Sequence, residues 1–301
     1  MSWIDDALDQ LAAHQPCGYH RDAVARSEPS ALATLALLAH GHNDAAKTAV
    51  DWLTTIQSPE GIVGPDATEP SPPWFTAPAV LAWQTWQQHV DTSPSNSEFA
   101  GNMTRGVSAL LNLAGKPIDR SPDMGHDTTL IGWSWAYDTH SWIEPTCWSM
   151  LALCATGNRN HPRVLEGRRL LIDRLLADGG CNYGNTIALG QTLRPHLQPS
   201  GLAMLTLANS AIQADADPRI GLTLDYLTKT LDEKTPSASL CYGLLGLTAH
   251  NRLPANHEAM LAAAAARTLK TDRSPLKLAL LAIAASPSII VAPNLAVSLS
   301  S

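Results

Sequence analysis

Acids, an imidazole and aromatic rings crowd into one stretch, "GWSWAYDTHSWIEPTCWSM" (132–150), which sets Asp138, His140 and Glu144 among Trp133, Trp135, Tyr137, Trp142 and Trp148. Five of the 16 Trp, Tyr and Phe residues fall here, more than an ordinary interhelical connection needs. Carboxylates enclosed by indoles lose hydration, which favours the protonated form and suits general acid chemistry. Asp138, His140 and Glu144 are therefore the candidate catalytic residues. Each has a plainer reading. Glu144 precedes Pro145 and can serve the N-terminal dipole of a helix, Asp138 can be structural, and His140 can donate to a backbone carbonyl or lie exposed. Trp133, Trp135 and Tyr137 alternate with small or polar residues, so an extended segment puts them on one side. There, with Trp142, they line a pocket for a flat hydrophobic ligand or plug it. Trp148 belongs to the following helix and its core.

Further candidates for ligand contact are Trp74, then Cys181 and Tyr183 in "DGGCNYGN", and Arg194, His196 and Gln198 in "RPHLQPS". The glycines of the first motif also fit a C-cap and turn. The second suits an anionic group ahead of a helix, or an ordinary surface. His126 and Asp127 have no third ligand at a metal-binding spacing, so no metal residues are nominated.

An internal repeat supplies the scaffold. Six segments open a nearly all-apolar helix at or after a common position: "EPSALATLALLA", "WFTAPAVLAW", "EPTCWSMLAL", "QPSGLAMLTLA", "TPSASLCYGLLGL" and "SPLKLALLAIA", with Pro29, Phe75, Pro145, Pro199, Pro236 and Pro275 in register. Proline suits the first helical position, and Thr235 and Ser274 ahead of it can act as caps. Helices apolar on all sides are buried on all sides. Amphipathic segments alternate with them, beginning at Asn43, Asn102, Pro162, Pro218 and Asn256, with one more at the N-terminus. Alternation at this period indicates stacked helical hairpins that close on themselves. The expectation is one all-α domain over residues 1–301, an (α/α)6 toroid. Its N-terminal helix, within 2–14, closes the outer ring, and a short tail follows at 287–301. Parallel inner helices bring the loops 58–74, 115–143 and 178–197 to one mouth, where long loops on a rigid scaffold carry function.

Composition narrows the field. The 301 residues are 45% hydrophobic and 16% charged with a net charge of −7, and Lys and Arg cluster nowhere, which argues against nucleic acid as a partner. No apolar run approaches the length of a membrane span. Five cysteines without CxxC pairing suit reduced thiols, and the first residues lack the layout of a signal peptide. A cytoplasmic location is expected, with peripheral membrane contact left open and no protein partner indicated.

Trp52, Leu53, Gln57 and Gly61 match an aromatic-Leu-x3-Gln-x3-Gly-x-Trp repeat, with Val63 in the last position. Glu166–Asn185 is a weaker copy, with Leu175 for the Gln and Cys181 near the final aromatic. The chain resembles the prenyltransferase and squalene cyclase superfamily. The resemblance implies an α/α toroid and an isoprenoid ligand, either cyclised through carbocations or transferred to a zinc-bound thiol. Departures are clear. There is no Asp-x-Asp-Asp acid motif and no DDxxD motif. The zinc pattern is incomplete, with Asp178 and Cys181 one residue too far apart and Ser239 standing where a His would precede Cys241 and Tyr242. No cofactor is therefore expected. The functional expectation is an isoprenoid-handling protein binding a hydrophobic small molecule at an aromatic barrel mouth. The alternatives are a carbohydrate-active (α/α)6 hydrolase or lyase, and a non-catalytic ligand- or protein-binding toroid.

Overall fold

A computed structural model describes residues 2–69, 71–90, 98–120, 122–210 and 217–291; most of the expected 287–301 tail, residues 292–301, lies outside them. Among the described residues twelve α-helices alternate between two layers. The inner ones are α2 (Ser27–Ala39), α4 (Thr76–His89), α6 (Ile143–Ala155), α8 (Leu197–Asn209), α10 (Ser237–Ala249) and α12 (Pro275–Ala285). Each packs on the next and α12 packs on α2, so the ring is closed. Around it run α1 (Trp3–Ala12), α3 (Asn43–Thr55), α5 (Ala100–Asn112), α7 (Pro162–Asp173), α9 (Pro218–Thr230) and α11 (His257–Lys270). The fold is an all-α (α/α)6 toroid. A two-residue hairpin, β1 (Ile187–Ala188) with β2 (Gln191–Thr192), decorates the loop before α8.

The sequence pattern accounts for the layers. Residues 27–38 of α2 and 143–154 of α6 are all buried, as helices flanked on every side must be, while the outer helices bury one stripe each, such as Ala46, Ala49, Val50 and Leu53 of α3. Where α8 meets α10 the backbones touch. A Cβ on Gly201 would lie 2.3 Å from the Tyr242 carbonyl oxygen, and one on Gly246 would lie 2.5 Å from that of Gly201.

One hydrogen-bonded device recurs where the long connections meet the inner helices. The hydroxyls of Ser30, Thr76, Thr146 and Ser200 each accept the backbone N–H of a residue in the preceding loop: Cys17 (3.1 Å), Val63 (2.9 Å), Trp133 (3.0 Å) and Cys181 (2.9 Å). All four lie within reach of the carbonyl of that same residue as donors, and Ser200 has a shorter contact to the His196 carbonyl at 2.6 Å. These residues follow Pro29, Phe75, Pro145 and Pro199 in the repeat, so the Ser/Thr of the motif staples the incoming loop. The expected caps at Thr235 and Ser274 are not formed. The Ser274 hydroxyl donates to the Tyr19 carbonyl at 2.7 Å and that of Thr235 to Asp232 at 3.0 Å.

The far end of the ring is closed differently. Imidazoles of His40 and His250 meet the carbonyls of Ala282 and Met204 at 3.0 and 3.1 Å, and the buried Ile289 and Ile290 cover a cavity of only about 20 Å³ against Leu81, Leu151 and Cys154. No helix among the described residues is long and apolar enough to cross a membrane.

Replacing Thr146 by Val keeps the shape and removes the staple, leaving the buried Trp133 N–H without its acceptor. An unmet buried group costs roughly 1–3 kcal/mol. Thermal unfolding of Thr146→Val is expected to show that loss, with Thr129→Val, at an exposed turn, close to the parent.

Candidate functional site

The residue just ahead of the repeat's Pro position is Glu28, Trp74, Glu144, Gln198, Thr235 and Ser274 in turn, one for each inner helix. All are buried except the half-buried Gln198. Two of them are carboxylates, and at that end of the ring they act on one another. The Tyr19 hydroxyl donates to Glu28 Oε2 at 2.7 Å, and the Gln198 amide donates to Glu144 Oε1 at 3.3 Å. No Lys, Arg or His forms an ion pair with either carboxylate among the described residues. Burial pushes Glu28 up to about 7, against the pull of the Tyr19 hydrogen bond. Glu144 is pushed up to about 8 by burial and then by the charge of Glu28, with Gln198 opposing. Desolvation thus outweighs the helix N-terminal dipole, which alone would lower both.

Aromatic groups surround this pair. Tyr242 of α10 is buried, and its phenol is pushed far up by burial, then by Glu144 and Glu28. Its ring meets that of Trp148 edge-on at 6.3 Å. Trp148 lies one turn beyond Glu144 on α6, and its indole N–H is buried without a partner.

The nominated residues separate into four places. Trp74, Trp133, Tyr137 and Asp138 border a cleft of about 230 Å³ together with Pro73 and Leu113, and Trp135 packs edge-on against Trp74 at 4.9 Å. Tyr137 is 51% exposed, and Asp138 is exposed with a left-handed φ of 59°. His140 stacks on Trp142 at 4.3 Å, and its Nε2 is buried without a partner. Burial, then Arg174, lowers the imidazole's pKa. Tyr183 and His196 form a tilted pair at 5.2 Å near the surface, beside the exposed Arg194. Glu144 alone of the proposed acid and base residues lies inside the ring.

One of the nominated residues turns out to be scaffold. Cys181, expected to point toward the mouth, is fully buried at the Ser200 staple, where burial pushes its thiol up to about 12. Most of Trp133 is also committed to the core: it is 2% exposed, donates its indole N–H to the Leu110 carbonyl at 2.8 Å and carries Arg163 over its ring at 4.3 Å. His126 and Asp127 do not share a ligand. The His126 Nδ1 faces the Thr186 hydroxyl at 3.2 Å, and Asp127 accepts from the backbone N–H and hydroxyl of Thr129. No three His, Cys, Asp or Glu side chains among the described residues are grouped to hold a metal.

Glu28 and Tyr19 were not nominated from the sequence. The signal was present in the repeat alignment, where Glu28-Pro29-Ser30, Glu144-Pro145-Thr146 and Gln198-Pro199-Ser200 share a register.

The assignment to (α/α)6 toroids rests on the closed ring itself. Solved structures that align with it include native alpha-2-macroglobulin from Escherichia coli, from domain MG7 to its C-terminus (14% identity, TM-score 0.47, 95% of this chain). Another is a type II terpene cyclase from Scytonema in complex with merosterolic acid A (16% identity, TM-score 0.45, 95% of this chain). The chain spans 42% of the first and 80% of the second. Likenesses of this degree assign no residue a role. No protein-family model and no curated protein matches the chain.

Because both glutamates have folded pKa values raised above the unfolded ones, the stability they contribute is full below about pH 4.5 and is lost as pH rises through 7 and 8. Melting temperature is expected to fall between about pH 6.5 and pH 8.5, above the range in which His126, His140 and His250, all lowered by burial, add stability with rising pH and below that in which the buried thiols ionise. Glu144→Gln, which cannot ionise, flattens that slope; an unchanged slope in both Glu144→Gln and Glu28→Gln would refute the assignment.

Proposed function

We propose that this chain handles an isoprenoid-like hydrophobic ligand at the inner-helix N-terminal end, with the Trp74–Tyr137 cleft as its approach and Glu144 as the proton donor. The observation that carries the reading is the pair of desolvated carboxyls, Glu28 and Glu144, without a cationic partner among the described residues. Keeping such groups inside a toroid lowers stability near neutral pH, and strongly perturbed acids of this kind concentrate where proton transfer is used. At the approach Trp74 and Tyr137 border the cleft, with Trp135 packed on Trp74, and offer ring faces and edges to an apolar skeleton rather than the polar groove a sugar chain requires.

Within this reading Glu144 holds the transferable proton, because its second oxygen is free of the Gln198 contact. Glu28 raises the proton affinity of Glu144 through its own charge, and Tyr19 and Gln198 fix the two carboxyls in orientation. Asp138 borders the approach as an exposed side chain and is not the acid in this reading.

Purified protein incubated with C15 to C30 isoprenoid alcohols and hydrocarbons, with products followed by gas chromatography and mass spectrometry, provides the test. General acid catalysis contributes about 10²- to 10⁴-fold. Glu144→Gln is expected to lose at least about 100-fold, while Asp138→Asn stays within about threefold of the parent. Full activity in Glu144→Gln removes it as the acid. Ligand binding by the parent without turnover removes the acid chemistry and leaves a binding toroid.

A further inference from the structure

The Trp74–Tyr137 cleft brings aromatic rings and a carboxylate to one small cavity. It encloses about 230 Å³, less than the roughly 300 Å³ at which sites for whole drug-sized ligands begin, so it suits a small head group. Trp74, Trp133 and Tyr137 border it together with Asp138, and no Lys, Arg or His does so among the described residues. The Asp138 carboxylate joins no ion pair and accepts no hydrogen bond among those residues. Arg163 is already engaged: it lies over the Trp133 ring at 4.3 Å, donates to the carbonyls of Leu113, Ile131 and Gly132, and has Glu166 at 3.7 Å. Trp74 and Tyr137 are the rings left for a ligand, and a cleft of this size keeps its occupant within the roughly 6 Å over which a ring attracts a cation. The loop that supplies Asp138, residues 115–143, holds four Asp against one Lys and one Arg in a chain of net charge −7, so the field at this end favours cations.

From this combination we infer that the cleft is a binding site for a quaternary ammonium group, of the kind carried by choline and by choline lipid head groups. Methylation decides the class. A trimethylammonium group spreads its charge over an apolar surface, packs against rings and asks for no hydrogen bond. A primary ammonium carries three N–H donors and a firmly held hydration shell, and the one charged acceptor that borders the cleft is exposed. An anion meets the Asp138 charge with no cation at the cleft to receive it. The inference goes beyond the isoprenoid reading and stands without it, since Glu144 has no part in it. A neutral isoprenoid passing the same cleft has no use for the carboxylate, so the two readings separate at Asp138.

Choline, ethanolamine and dimethylbutanol, in which carbon replaces the choline nitrogen, are titrated against the protein by ligand-observed NMR at neutral pH. Choline is expected to bind at least about tenfold more tightly than dimethylbutanol, the difference that two ring contacts to one cation supply, and at least about threefold more tightly than ethanolamine. Tyr137→Leu keeps apolar bulk at a position 51% exposed and is expected to weaken choline about two- to fivefold with dimethylbutanol unchanged. Asp138→Asn retains the left-handed turn, which Asn adopts as readily as Asp, and is expected to weaken choline about two- to fivefold, less so at high salt. Sedimentation with phosphatidylcholine vesicles, against phosphatidylglycerol vesicles, tells the sources apart: co-sedimentation that choline competes away identifies a lipid head group, and choline binding without it identifies the free molecule. Dimethylbutanol or ethanolamine binding as tightly as choline overturns the inference. So does failure to bind choline, or choline binding indifferent to both substitutions.

Discussion

A single hydroxyl contact, repeated around the ring, sets the geometry of this protein. Each of Ser30, Thr76, Thr146 and Ser200 takes the backbone N–H of a residue in the preceding loop and locks it against the first turn of an inner helix. Loops that would otherwise wander over the end of the toroid are held at one register. Two consequences follow. The residue one step before the repeat's Pro position is fixed at the rim of the lumen, which places Glu28 and Glu144 where they sense each other. The stapled loop residues, Cys17, Val63, Trp133 and Cys181, are drawn inward and buried. Position in the repeat, more than chemical type, decides which side chains belong to the scaffold and which to the site.

The repeat explains why so much of the fold could be read from the chain. Inner helices are apolar on every side because neighbours cover every side, and the outer ones are striped, so the alternation of two patterns announces two layers. Helix starts at Pro145, Pro199 and Pro275 agree with the structure to within two residues. The resemblance to cyclase repeats was carried by the turn after an outer helix. In both copies that turn closes with the same isolated bridge, Gln57 with Val63 and Leu175 with Cys181. Gln57 further donates to the carbonyls of Gly61 and Asn102.

The site was less legible, and for definite reasons. The aromatic-rich stretch drew notice to Asp138, His140 and Glu144 together, yet three acid or base groups within seven residues need not share an environment. A left-handed turn at Asp138 points it to solvent, His140 stacks on Trp142 in the loop, and only Glu144 has crossed into the helix and the lumen. Glu28 lies in another hairpin altogether. Its contribution comes from ring closure, which no local pattern encodes, although the matching Glu-Pro step marks it once the repeats are superposed. Cys181 misled because cysteine serves as core as readily as it serves ligands, and the hydroxyl that claims its backbone lies 19 residues further along the chain.

The bond between the Ser274 hydroxyl and the Tyr19 carbonyl ties the start of the last inner helix to the loop ahead of the first. Tyr19 is the residue that donates to Glu28. During synthesis the chain must therefore lay down eleven helices before the partner that steadies this strap exists. The buried acid is completed at the final step of ring closure, so an incomplete toroid exposes an ordinary glutamate in place of a proton-holding one. The raised proton affinity of that glutamate thereby depends on the whole circle having been joined.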